Sequence, residues 1–204
     1  MAMPIALALL LAVESPRIIG LVEIPSVLGD PEGPGHRAVT LRTDPLETAP
    51  VSCVARGADD LETREHGYEE VSAVVYDSKT GWYGVRCSGA DRLAWLAVSE
   101  AGQYRPLEEL VQHGLAYLTA QWNRVLYQKP HRSAASHRVR VETSEPDITV
   151  ADTAKVDEEL WLLVIVYGEG RCTADEPGPV LDAGWTPAHT RNGDSTAWFH
   201  SRGC

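Results

Sequence analysis

The sequence predicts an all-β protein, and three observations carry that prediction. Short apolar stretches of strand length recur along the 204-residue chain, separated by turns rich in Gly, Pro, Asn and Asp. Only the segment around residues 106–113 carries the punctuation of a helix. Finally, a tryptophan-bearing pair of segments in the first half is answered by a similar pair in the second. Many short strands spaced by turns belong to barrels or sandwiches.

The chain opens on the apolar run Pro4–Val13, which has the length of a signal-peptide core and is too short to span a membrane. No Lys or Arg precedes it, and Ala12-Val13-Glu14-Ser15 is a poor cleavage site, so a hydrophobic segment packed on the domain is the competing reading. Residues 17–24 read as the first strand, ended by Pro25, and 29–36 as a loop. Ala38–Arg42 and Pro50–Val54 follow as strands, and 58–70 as a long acidic loop. Val71–Tyr76 is strongly β-prone. Trp82–Arg86 alternates with period two, Ser88-Gly89-Ala90-Asp91 turns, and Ala94-Trp95-Leu96 returns, which makes a hairpin.

Pro106 at a first turn, Leu107, Leu110 and Val111 on one face, and Gly114 at the end define the helix. Residues 121–144 contain Pro130, Ser133, Ser136 and the scattered cations Arg124, Lys129, Arg132, Arg138 and Arg140, and read as a basic linker. Beyond it, 147–156 and 160–167 are strands joined by Asp157-Glu158-Glu159. Residues 183–188 and 197–200 complete the set, with Arg191-Asn192-Gly193-Asp194 as a hairpin turn.

The formal net charge of −11 argues against a nucleic-acid backbone as partner, because that footprint is basic. Four cysteines, two in each half, suit disulfides Cys53–Cys87 and Cys172–Cys204 in an oxidising compartment. Zinc could instead use Cys172, His189, His200 and Cys204, but the tight Cys-x-x-Cys pair of small zinc sites is absent. The reading therefore expects no metal and no cofactor.

Val39-Thr40-Leu41-Arg42 before a Pro-containing turn, Gly81-Trp82-Tyr83-Gly84-Val85 and Ala94-Trp95-Leu96 together resemble the bacterial SH3-like domain family. The family's Asn before the Arg is missing, and Ala94 stands where Gly is usual. Leu160-Trp161-Leu162-Leu163-Val164 with Gly184-Trp185-Thr186-Pro187 is a weaker second match. The resemblance implies two small barrels in tandem, in the envelope, binding a peptide or cell-wall polymer without catalysis. The expected organisation is a signal or hydrophobic segment (1–16), a first barrel with its helix (17–120), the linker (121–144) and a second, divergent barrel (145–204). A periplasmic or secreted protein with no stable membrane span follows. Oligomeric state is not legible.

Arg86-Cys87-Ser88-Gly89 is similar to the nucleophile motif of cell-wall cysteine peptidases, but Arg stands where those enzymes have Asp, and a turn stands where they have a helix. A thiolate also needs a base beside it, so no catalytic residue is assigned. The expected ligand surface is aromatic and acidic: Tyr68, Glu69, Glu70, Tyr83 and Trp198. A small cell-envelope enzyme or inhibitor is the rival reading.

Overall fold

The computed structural model describes residues 16–30, 32–168 and 178–203. The apolar segment before Pro16, Cys172 and Cys204 lie outside the described residues. The first half contains β1 (Gly20–Val22), the one-turn helix α1 (Pro25–Leu28), β2 (Val39–Arg42), β3 (Val51–Ala55), β4 (Thr63–Gly67) and β5 (Glu70–Lys79). It continues with β6 (Trp82–Arg86), β7 (Leu93–Ala97), β8 (Tyr104–Pro106) and helix α2 (Leu107–His113). The second half contains β9 (Ala116–Leu118), β10 (Val125–Tyr127), β11 (Ser136–Arg138), β12 (Asp147–Val156), β13 (Glu159–Tyr167), β14 (Val180–Pro187) and β15 (Ala197–Phe199). The all-β expectation holds.

The strands form two antiparallel sheets, ordered β3-β2-β7-β6-β5-β1-β8, with β4 added on β5, and β11-β10-β14-β13-β12-β9-β15. Setting β4 aside and counting in chain order, both sheets run third-second-sixth-fifth-fourth-first-seventh. The registers repeat as well. Trp82 faces Ala97 and Gly84 faces Trp95, as Trp161 faces Pro187 and Leu163 faces Trp185. Trp95 and Trp185 then pair with Arg42 and Tyr127 on the next strand out. Even a bulge recurs, directly after the Val75↔Val85 pair in one sheet and the Val150↔Val164 pair in the other. The chain is a structural duplication.

Among the described residues neither sheet closes by hydrogen bonding: β3 and β8 end one, β11 and β15 the other. No closed barrel is found among the described residues, so the expectation of two small barrels holds only as far as two antiparallel sheets, one after the other in the chain. Leu41, Val85 and Leu96 centre one core, with Val22, Ile24 and Ala73. Leu118, Leu126, Ile148, Leu162 and Val164 centre the second. A third cluster, Leu21, Val74, Tyr76, Leu110 and Phe199, draws on both sheets and on α2. Gly20 matters within the first sheet: a Cβ there would lie 2.4 Å from the Arg105 carbonyl oxygen, so β1 and β8 approach as closely as they do only because it is glycine.

The changeover between sheets falls at α2. Its Leu107 and Val111 pack into the second core, directly after β8 has paired with β1. Residues 121–144, read as a linker, carry β10 and β11 and bury Trp122, Leu126 and Val139 in the second core. Apolar residues spaced through a basic segment had hidden two short strands. The acidic stretch 58–70 is likewise more ordered than a loop. It holds a 3-10 turn at Ala58–Asp60 and then β4, which pairs with β5. The Cys53–Cys87 disulfide is present and ties edge strand β3 to the segment just past β6.

Candidate functional site

Where the two sheets meet, a cleft of about 980 Å³ opens above the third cluster. One wall comes from the first sheet: Glu62, Arg64, Glu65, Tyr76 and Arg86. The other comes from the second: Tyr117, Trp198, His200 and Arg202, with the 192–195 turn at the rim. Local structure explains each position. Tyr76 is the residue skipped at the β5 bulge, and bulges turn a side chain away from its regular face. Glu62 is held by its backbone, donating to the Arg86 carbonyl and accepting from the Val74 amide, at 2.9 and 3.0 Å. His200 follows β15 and donates its amide to the Leu115 carbonyl, 2.7 Å away.

The first wall is a connected polar group. The Tyr76 hydroxyl donates to Glu62 Oε1 at 2.6 Å and accepts from Arg86 Nη1 at 3.3 Å. The Arg86 guanidinium also lies 4.2 Å from the Tyr76 ring centre, a cation–π contact. Burial first, then the hydrogen bond to Glu62, pushes the Tyr76 phenol well above its ordinary range, so it stays protonated. On the second wall His200 Nε2 lies 3.0 Å from Asp147 Oδ1, and its ring is 4.7 Å from that of Tyr117. Burial raises the Tyr117 phenol too.

One end of the cleft is bridged. Glu65 accepts from Arg202 Nε at 2.9 Å and from the Ser201 hydroxyl at 3.2 Å. The Arg202 hydrogen bond holds the Glu65 carboxyl below the usual range. The site thus offers aromatic faces, guanidinium groups and carboxylates in one groove. Among the described residues, no group of three or more His, Cys, Asp and Glu could hold a metal ion.

The residues expected to bind ligand are split by the fold. Trp198 lines the cleft, stacked on Phe199 with centroids 5.2 Å apart. Tyr68 is 72% exposed at the β4–β5 turn, where Glu69 takes a left-handed φ of 59°. Its ring lies 5.5 Å from the Arg202 guanidinium, just beyond the groove. Glu70 faces His66 at 3.4 Å. Tyr83 stacks on Tyr104 at 5.1 Å and packs against the first core, away from the cleft. Cys87 is disulfide-bonded, which removes the thiol that a Cys-Ser-Gly nucleophile would need.

Sequence reading missed Tyr76, Arg86 and Tyr117 as site residues, and it weighed His200 only as a zinc ligand. The first two sit on strands where alternation marks them only as one face or the other, and the last two matter because β9 and β15 pair across 80 residues. No local pattern signals that. Comparison with family models, curated proteins and solved structures finds no match for this chain. No helix among the described residues is long and apolar enough to cross a membrane.

Proposed function

We propose that the protein is a non-catalytic binding module that holds a peptide, or a peptide-bearing cell-wall component, in the cleft between its two sheets. The observation that carries this reading is the composition of that cleft. Tyr117 and Trp198 supply flat apolar surface, while Arg64, Arg86, Glu62 and Glu65 supply charges of both signs. A peptide backbone with mixed ionic groups matches such a surface better than a hydrocarbon or a nucleic acid does. The same reading takes each half as an SH3-like module. The repeated strand order and the equivalent tryptophan hairpins support it. The Cys53–Cys87 disulfide supports a periplasmic or secreted location.

A second reading, a small cell-envelope enzyme, draws on one feature. His200 pairs with the buried Asp147 at the cleft wall, and such a pair can carry a proton. Turnover distinguishes the two: on the enzyme reading wild type cleaves a muropeptide and His200→Gln does not, whereas a binding module releases its ligand unchanged in both.

The experiment is co-sedimentation of the purified protein with peptidoglycan sacculi. Wild type should pellet saturably, and Arg64→Glu combined with Tyr117→Leu should weaken binding at least tenfold, about 1.4 kcal/mol. No pelleting, or equal pelleting of the variant, rejects the reading.

A further inference from the structure

β4 pairs with β5 and, among the described residues, with no other strand. Two bonds show which of its backbone groups face away from β5. The Val74 amide donates to the Glu62 carbonyl at 3.0 Å, whereas the Val75 carbonyl accepts from the Ile19 amide on the opposite side of β5, at 2.8 Å. Bonds to one neighbour alternate along an antiparallel strand, so Ser72 bonds to Arg64, which it faces in the register. The N–H and C=O groups of Thr63 and Glu65 therefore point outward, and both residues are partly exposed. Arg64 and Glu65 both line the large cleft. Neighbours on a strand project to opposite faces, so the cleft takes in both by running along the edge between them.

The duplicated second sheet carries a strand at this place. The bulge after Val75 matches the bulge after Val150, which makes Ala73 the counterpart of Ile148. Ala73 faces Thr63, and Ile148 faces Val166. Val166 has Asp182 of β14 on its far side. The first-sheet counterpart of Asp182 is Arg92, because Val85 faces Ala94 as Val164 faces Gly184. Arg92 lies before β7, in the turn after the disulfide-bonded Cys87. Among the described residues, the far side of Thr63 thus has no strand where its counterpart has one.

We infer that an extended segment of another protein chain adds to β4 as an extra strand, bonding to the backbone of Thr63 and Glu65. The inference rests on the peptide reading of the cleft and names how the peptide is held. In strand addition the main-chain bonds give affinity, and alternate side chains set preference. Side chains of the added strand have Tyr117 and Trp198 on the second-sheet wall, and Glu62 and Arg86 on the first. A glycan lacks the regular row of N–H and C=O groups that matches such an edge. A second copy of this chain would bring a whole sheet with its packed layers, spaced about 10 Å apart, where the cleft admits one extended chain.

Amide hydrogen exchange of the full chain tests this. In the free protein the Thr63 and Glu65 amides should exchange quickly and the Arg64 amide slowly. Main-chain bonding is indifferent to most side chains, so the probe is a β-prone peptide of mixed charge, acetyl-Thr-Val-Lys-Val-Glu-Val-Thr-amide. At saturation it should slow Thr63 and Glu65 at least tenfold. Two versions of the probe, N-methylated on the two alternate sets of residues, separate strand addition from side-chain binding. The version that loses the amides turned toward β4 should bind at least tenfold more weakly, and the other should bind as the parent does. The inference is overturned if both versions bind alike, or if chitotetraose protects the same two amides. Slow exchange at Thr63 and Glu65 without peptide also overturns it, since the chain itself or a second copy then holds the edge. Saturable shifts at Tyr117 and Trp198 with no slowing at Thr63 and Glu65 overturn strand addition and leave the cleft reading in place; no saturable effect of the probe anywhere overturns strand addition as well.

Discussion

Tyr76 connects backbone irregularity to the site at the scale of a single residue. The bulge sets it on the cleft side, where its hydroxyl joins Glu62 and Arg86. Tyr76→Phe keeps the ring in the shared cluster and removes only those bonds, so a loss of about 1–2 kcal/mol is expected from denaturant melts. His189 makes a pH prediction. Burial, the dominant cause, holds its pKa below the ordinary value of about 6.5, against the opposing influence of the Ile18 carbonyl and Glu159. The unfolded chain therefore takes up a proton that the folded chain resists. Stability should fall as pH drops from about 7 through that ordinary value, and not change with His189 above it. His66, lowered by burial as well, acts in the same direction. His189→Gln keeps a donor for Ile18 and should shrink the difference in denaturant midpoint between pH 7.5 and 5.5. An unchanged difference would show that His189 is not its source.

Two elements show how far the sequence could be read. The tryptophan hairpins were legible because strand alternation and turn residues are local signals, and the segments so read are the ones that pair. Segment 121–144 was misread because β10 and β11 are three residues each, shorter than any periodicity that can be counted. Leu126, wholly buried there, provides the check. Leu126→Ala should cost about 2–5 kcal/mol, whereas in a linker it would cost nothing. For the same reason, limited proteolysis should spare this segment. The disulfide was foreseen from cysteine count and placement, and it closes a separation of 34 residues. Replacing Cys53 and Cys87 by Ser should remove about 3–4 kcal/mol in the chain-entropy account. Calorimetry should read this as a melting point lower by roughly 10 °C.

On the scale of the whole molecule, duplication created the cleft. Each sheet covers its own core, and the cluster of Leu21, Val74, Tyr76, Leu110 and Phe199 locks the two together. Because that cluster is shared, unfolding should follow one cooperative transition, and Leu110→Ala should lower it without splitting it. The cleft itself was invisible in the sequence, since its walls come from strands far apart in the chain and its chemistry depends on how two sheets meet. Its role is tested most directly by titrating soluble muropeptides into the labelled protein and mapping amide and side-chain shifts. The account predicts saturable shifts concentrated at Arg64, Tyr76, Tyr117, Trp198 and His200, abolished by Arg64→Glu with Tyr117→Leu. Shifts confined instead to the Tyr68–Glu70 turn or the β3 edge, or no saturable shift at all, would contradict it.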